Sequence, residues 1–234
     1  MINRITAISV LFLLMLNSYS FGKPRQDHKL VQFQMAIMKK GPEWTTMKRD
    51  LRNQIMLQHR DSVAALLSSG KIVIAGPFSD DTDTAGIFVL RVPAAEARAL
   101  VDADPAVKAG LMTAEMHPWY SEDIFQKASV PLKFDSVYLG FLKKGPNRKD
   151  GDDKDPQIQE LQKAHIANIN RLAGLKKLVV AGPFGDEGEL RGIFVFRVGS
   201  LKEAQDLAAT DPMIKIDRLR LELHPWSVPA GVLP

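Results

Sequence analysis

The sequence predicts two tandem α+β units, each with the order β-α-β-β-α-β, and three observations carry that prediction. The first is repetition: "KIVIAGPFSDD" over residues 71 to 81 returns as "KLVVAGPFGDE" over 177 to 187. "MKKGP" ending at Pro42 returns as "LKKGP" ending at Pro146, "AGIFVLRV" from Ala85 as "RGIFVFRV" from Arg191, and "EMHPWY" as "ELHPWS". A repeat of this kind fixes the unit that folds, here about 90 residues. The second is that apolar residues in each copy switch between the period of a strand and the period of a helix. The third is that Gly and Pro punctuate the joins, where the chain has to turn.

In the first copy, "VQFQMAIM" (31 to 38) reads as a strand ended by "KKGP". From about Met47 to Ser68 there is no Gly or Pro, and Leu51, Ile55, Val63, Leu66 and Leu67 recur at helical spacing, so a helix is predicted that ends at Gly70. "KIVIA" and "GIFVLRV" are apolar strands joined by the acidic turn "FSDDTDTA". "AAEARALVDA" is a short helix, and "GLMTAEMH" a closing strand that Pro118 should stop. The second copy predicts strand 137 to 142, helix 156 to 173, strands 177 to 181 and 192 to 198, helix 200 to 209 and strand 217 to 224. This order has a packed solution, the ferredoxin-like split β-α-β sandwich, with both helices on one face of an antiparallel sheet. The other face needs cover, and the sheet of the other copy is its natural partner. The expected layout is a first domain over 30–120, a linker over 121–132 and a second domain over 133–229.

With 45% hydrophobic residues the chain can fill two small cores, and 31 basic against 27 acidic residues is a modest excess. No block of Lys and Arg interleaved with aromatics would track a phosphate backbone, so no nucleic-acid partner is expected. "MINRITAISVLFLLMLNSYSFG" has a positive start, an apolar run from Ile5 to Leu16 and small residues at Ser18 and Ser20, the layout of a signal peptide over residues 1–20. Cleavage after Ser20 or Gly22 would leave a secreted or periplasmic protein without a stable membrane anchor. The apolar run is shorter than the roughly 20 residues of a spanning helix. There is no Cys, so disulfides and thiol chemistry are excluded.

Four of the five histidines form matched pairs, His59 with His165 and His117 with His224. His59 has Ile55, Val63 and Leu66 at −4, +4 and +7, and His165 has Leu161, Ile169 and Leu172 at the same offsets, so both lie on the apolar stripe of their helix. An imidazole held there can act as a base or an acid, or simply belong to the core. His117 and His224 end a strand before "PW", where a strand stop with an anchoring Trp is expected. They should lie at the far end of the domain from Asp104 and Asp211, which argues against a His-His-Asp metal site.

Asp104 and Asp211 each precede a proline, a ready turn initiator whose carboxylate can accept backbone N–H groups. In "AGPF", Pro77 and Pro183 cannot donate a ladder bond, and Gly76 and Gly182 let another backbone or a small ligand approach closely. With Phe78 and Phe184 they are candidate pocket-floor residues. The acidic turns "SDDTD" and "GDEGE" read as solvated loops. "DGDDKD" (150 to 155) lacks the central Gly and closing Glu of a calcium loop. Lys39, Lys40, Lys143 and Lys144 flank the first-strand exits and could attract an anion.

A helical His, the "AGPF" strand end, a Gly-containing hairpin into "GIFVF", a "DP" pair after the second helix and a closing "PW" together resemble the YCII-related family. The likeness covers both copies. It implies a dimeric α+β barrel built within one chain as a pseudo-dimer, and leaves a homo-oligomer open. It also implies a His-Asp dyad, His59 with Asp104 and His165 with Asp211, meeting within one copy or across the two. An Asp on one ring nitrogen would fix the tautomer and leave the other nitrogen for proton transfer. The activity implied is that of an exported small-molecule lyase, isomerase or dehydrohalogenase needing no cofactor and no metal. The alternative is a non-catalytic binding module of the cell envelope. The second copy, with "KAHIANINRLA", lies closer to the family pattern.

Overall fold

The alternation in "LVQFQMAIMKK" produces the central strand of the first sheet, β1 (Leu30–Lys40), which is buried on both faces from Phe33 to Met38. The computed structural model describes residues 29–128, 131–149 and 151–234, so the expected signal peptide lies outside the described residues. After β1 come α1 (Arg49–Ser69), β2 (Ile72–Pro77), β3 (Thr84–Leu90), α2 (Ala94–Asp102), α3 (Pro105–Lys108) and β4 (Met112–Glu122). The second copy repeats the series as β5 (Phe134–Lys144), α4 (Pro156–Gly174), β6 (Leu178–Pro183), β7 (Leu190–Phe196), α5 (Leu201–Ala208), α6 (Pro212–Lys215) and β8 (Leu219–Pro229). As the sequence predicts, α1 ends at Gly70, whose φ of 76° is the left-handed conformation that glycine adopts without strain.

Both sheets are antiparallel, ordered β2-β3-β1-β4 and β6-β7-β5-β8. One set of alternate residues faces the helices: Ala36, Met38, Phe88 and Leu90 pack with Leu67, Ala97 and Val101, and Leu142, Phe194 and Phe196 pack with Leu172, Ala204 and Ala208. The other set faces the opposite sheet. Phe33, Met35, Ile37, Ile87, Val89 and Trp119 of the first copy share a core with Val137, Leu139, Phe141, Ile193, Val195 and Trp226 of the second. The layers therefore run helices, sheet, sheet, helices, and neither copy encloses its inner face alone.

The sheets also join at their edges. Phe78 bridges to Trp226 and Trp119 to Phe184, Ser79 N–H donates to Pro225 O at 3.0 Å, and Gly185 N–H donates to Pro118 O at 2.7 Å. These joins place β2 beside β8 and β4 beside β6, closing the eight strands into an α+β barrel.

Three expectations change. Pro118 and Pro225 do not stop their strands, which run on to Glu122 and Pro229. Each prolyl carbonyl points to the other copy, so the missing N–H lies on that side and costs no bond to β1 or β5. The one-turn helices α3 and α6 are absent from the sequence reading, being too short to show a period. The linker begins inside β4, and Ile124, Phe125 and Ala128 pack on the shared core, with Phe125 edge-on to Phe33 at 5.4 Å.

Candidate functional site

The apolar stripe of α1 carries His59 under the helix, 9% exposed and stacked at 5.9 Å on Phe88 of β3. Beyond α2, Asp104 caps α3: its Oδ1 accepts from Ala106 N–H at 2.8 Å, and Pro105 occupies the first helical position, where no N–H is needed. Packing of α1 against α3 brings this buried carboxylate to the imidazole. His59 Nδ1 lies 2.8 Å from Asp104 Oδ1 and 2.9 Å from Oδ2. In the second copy His165 stacks at 6.0 Å on Phe194, its Nδ1 lies 2.7 Å from Asp211 Oδ2, and Asp211 Oδ1 accepts from Met213 N–H at 2.9 Å. Both dyads form within one copy.

A carboxylate can only accept, so in each pair Nδ1 carries the proton and donates. In the neutral imidazole Nε2 is then the nitrogen that presents a lone pair. The second dyad has company that sequence reasoning missed. Asn168 Nδ2 approaches Asp211 at 3.5 Å, and Asn168 Oδ1 accepts from Arg171 at 2.8 Å and from Thr210 at 3.1 Å. Its position three residues after His165, on the same stripe, was the available signal.

Each histidine lines a cavity between helix and sheet. The first, about 700 Å³, is lined by His59, Met38, Met56 and Phe88 with Gly76 and Pro77, and is walled by Leu132, Phe134, Ser227 and Pro229 from beyond the first copy. The second, about 550 Å³, has His165, Ile169 and Phe194 with Gly182 and Pro183, adds Arg148 and Arg191, and is walled by Leu30 and Glu122 of the first copy. Each cavity thus borrows a wall from the other copy.

Phe78 and Phe184 are not brought to either cavity; they sit in the shared core. Gly76 and Gly182 have a second office. A Cβ on Gly76 would fall 1.7 Å from Ser227 O, and one on Gly182 would fall 1.9 Å from Tyr120 O. The close approach is by backbone. Trp226 Nε1–H donates to Gly76 O at 3.0 Å and Trp119 Nε1–H to Gly182 O at 3.1 Å, so "AGPF" and "HPW" are the two halves of a reciprocal seam.

The second matched pair, His117 and His224, locks that seam. His117 Nδ1 lies 2.6 Å from Asp186 of the second copy, and His224 Nδ1 lies 2.7 Å from Asp80 of the first. The acidic turns are therefore not purely solvated, because one carboxylate of each is drawn in by a histidine beneath it. His224 also stacks on Phe78 at 4.5 Å.

Among the described residues no cluster of His, Asp and Glu could hold a metal ion. In the loop between β5 and α4, Asp152 binds the buried Arg218 and Asp153 pairs with Arg148. The hydrogen bond from Arg218 pushes the Asp152 carboxyl down to about 2. Of the flanking lysines, Lys39 pairs with Glu115, Lys40 with Asp81 and Lys143 with Glu222.

Searched against curated proteins, the chain has no match. Among solved structures, a mutant chlorite dismutase from Candidatus Nitrospira defluvii superposes with a TM-score of 0.54 at 13% identity, over 85% of this chain and 91% of that one. A heme-binding protein from Thermus thermophilus gives 0.52 at 14%, over 85% and 92%. A putative monooxygenase from Lactobacillus acidophilus gives 0.50 at 14%, over 87% and 98%. At such identities the likeness is one of fold: a dimeric α+β barrel. The sequence pattern of the YCII-related domain matches twice, over residues 33–119 and 138–227, and the chain belongs to that family, carrying two copies of its domain.

Proposed function

We propose that the chain is a small-molecule enzyme in which a His-Asp pair moves a proton, as a lyase, isomerase or dehydrohalogenase acting on a small cyclic or phenolic compound. The observation that carries this reading is the bond from His59 Nδ1 to a buried carboxylate, repeated at His165, on the wall of a cavity large enough for such a compound. Nε2 would take a proton from a substrate carbon. The electron pair released would either expel a leaving group such as halide or shift within the ring, with the proton returned at another carbon. The carboxylate would stabilise the imidazolium formed between these steps.

A panel of small lactones and halogenated cyclic compounds, followed by mass spectrometry for isomerisation, halide loss or solvent deuterium uptake, tests the reading. Turnover should vanish in the His59→Ala plus His165→Ala double variant while circular dichroism stays unchanged. Equal turnover in the double variant sinks it, and saturable binding without product would make the chain a binding protein.

A second reading, haem binding as named for the Thermus neighbour, is favoured by the first cavity. It is largely apolar, and His59, with one ring nitrogen held by Asp104, would be the residue to hold the iron. Haem would supply redox or oxygen chemistry. A Soret band on hemin addition that is lost in His59→Ala would support this reading, and its absence from the unmodified protein would remove it.

Export belongs to the proposal as well, supported by the leader-like layout of residues 1–20. Recovery from the cell envelope or the medium of a protein beginning near residue 21 is the expected result.

A further inference from the structure

The two cavities differ most in charge, and the differences gather around His165. Counting from the histidine, Gln162 stands where the first copy has Met56, and Asn170 where it has Ala64. Arg191 stands where the first copy has Ala85, each immediately before the glycine that pairs across to Pro77 or Pro183. Arg148 comes from the loop before α4, and that loop is pinned by Arg218, a buried guanidinium at the position of Leu111 in the first copy.

These substitutions leave one cation, among the described residues, without a carboxylate to pair with. Arg148 is paired with Asp153, but Arg191 makes one long bond, to Asp186 O at 3.4 Å, and has no carboxylate partner among the described residues. Among those residues Glu122 is the sole acidic side chain on this cavity's wall, against the guanidinium groups of Arg148 and Arg191. The first cavity has Arg60 and Asp61, adjacent in sequence and of opposite sign. A guanidinium with unspent donors, planar and always charged, matches a carboxylate in shape and in sign.

We propose that the second cavity binds a small organic carboxylate through Arg191, with Arg148 beside it, and that the first takes uncharged apolar molecules. The proposal deepens the proton-transfer reading by naming a substrate class for the His165 site. Its test reads binding and not turnover, so the two ideas can fail separately.

Benzoate and benzyl alcohol serve as probes, titrated into the full protein while the ring resonances of His59 and His165 are followed by NMR. Benzoate should move the His165 signals saturably and leave those of His59 in place, and benzyl alcohol should not share that preference. Arg191→Ala should weaken benzoate binding about tenfold or more, with Arg191→Lys recovering part of it. The Ala variant should fold, because Ala85 fills the same position in the first copy. Benzoate binding that Arg191→Ala leaves unchanged, binding at His59 instead, or no saturable binding would each overturn the proposal. Arg191-dependent binding alongside turnover that ignores both histidines would leave the anion site standing and remove the proton-transfer reading.

Discussion

Gly76 of the first copy and Ser227 of the second lie so close that a Cβ on the glycine would fall 1.7 Å from the serine carbonyl oxygen. Neither atom is the end of a flexible side chain, so the strands must part to admit a methyl group. Gly76→Ala should therefore cost about 2 kcal/mol or more, with Gly182→Ala, facing Tyr120, similar. Urea denaturation measures this. A change within about 0.5 kcal/mol, the range of an ordinary surface substitution, would mean that the seam yields.

Asp104 has two duties that different substitutions separate. Asp104→Asn keeps an N-cap for α3 but offers an amide donor or carbonyl to His59 Nδ1, so the ring is free to change tautomer. Asp104→Ala loses the cap as well and should cost about 1 kcal/mol more. The Asn variant should keep most of the stability while the nitrogen shifts of His59 and any turnover change sharply. Unaltered ring shifts in the Asn variant would show that the carboxylate does not set the tautomer.

Asp152 gives a pH dependence of known sign. Its carboxyl is pushed down to about 2 by the Arg218 hydrogen bond, from an ordinary 3.8. The stability it contributes is therefore complete above about pH 5 and is lost as the pH falls towards 2. Other carboxylates titrate in the same window, so the quantity to measure is the difference in denaturation midpoint between the protein and Asp152→Asn. That difference should shrink from about pH 5 to about pH 2. A difference that stays constant would place the ion pair outside the energetics of folding.

The shared core implies that neither copy is complete. Residues 29–128 alone would expose Phe33, Met35, Ile37 and Trp119, an apolar face that a monomer cannot leave in water. Expressed separately, this segment should pair with a second copy of itself, Asp80 of one chain meeting His117 of the other. Light scattering decides the matter, and a soluble monomer at micromolar concentration would contradict it.

The order β-α-β-β-α-β can be read from the sequence because each long element has a period its burial enforces. The dyads are legible in their members but not in their meeting, since His59 and Asp104 lie 45 residues apart on separate helices. The seam is hidden for a related reason. His117 and Asp186 are 69 residues apart and His224 and Asp80 are 144 apart, each pair joining a strand to a turn that looks solvated when read alone. Phe78 and Phe184 suggest pocket residues because "AGPF" reads as one unit, yet a strand sends successive side chains to opposite faces. The same alternation that exposes the glycine backbone to the other copy's Trp carries the phenylalanine into the barrel.

The carboxylate that orients each imidazole is the same group that begins α3 or α6, so folding alone gives a reason to retain it. If one copy lost its chemistry after duplication, Asp104 or Asp211 would still be guarded against change by the helix it starts. Survival of the aspartate therefore says little about whether a copy is working. The histidine, which caps nothing, is the residue whose drift would record the loss.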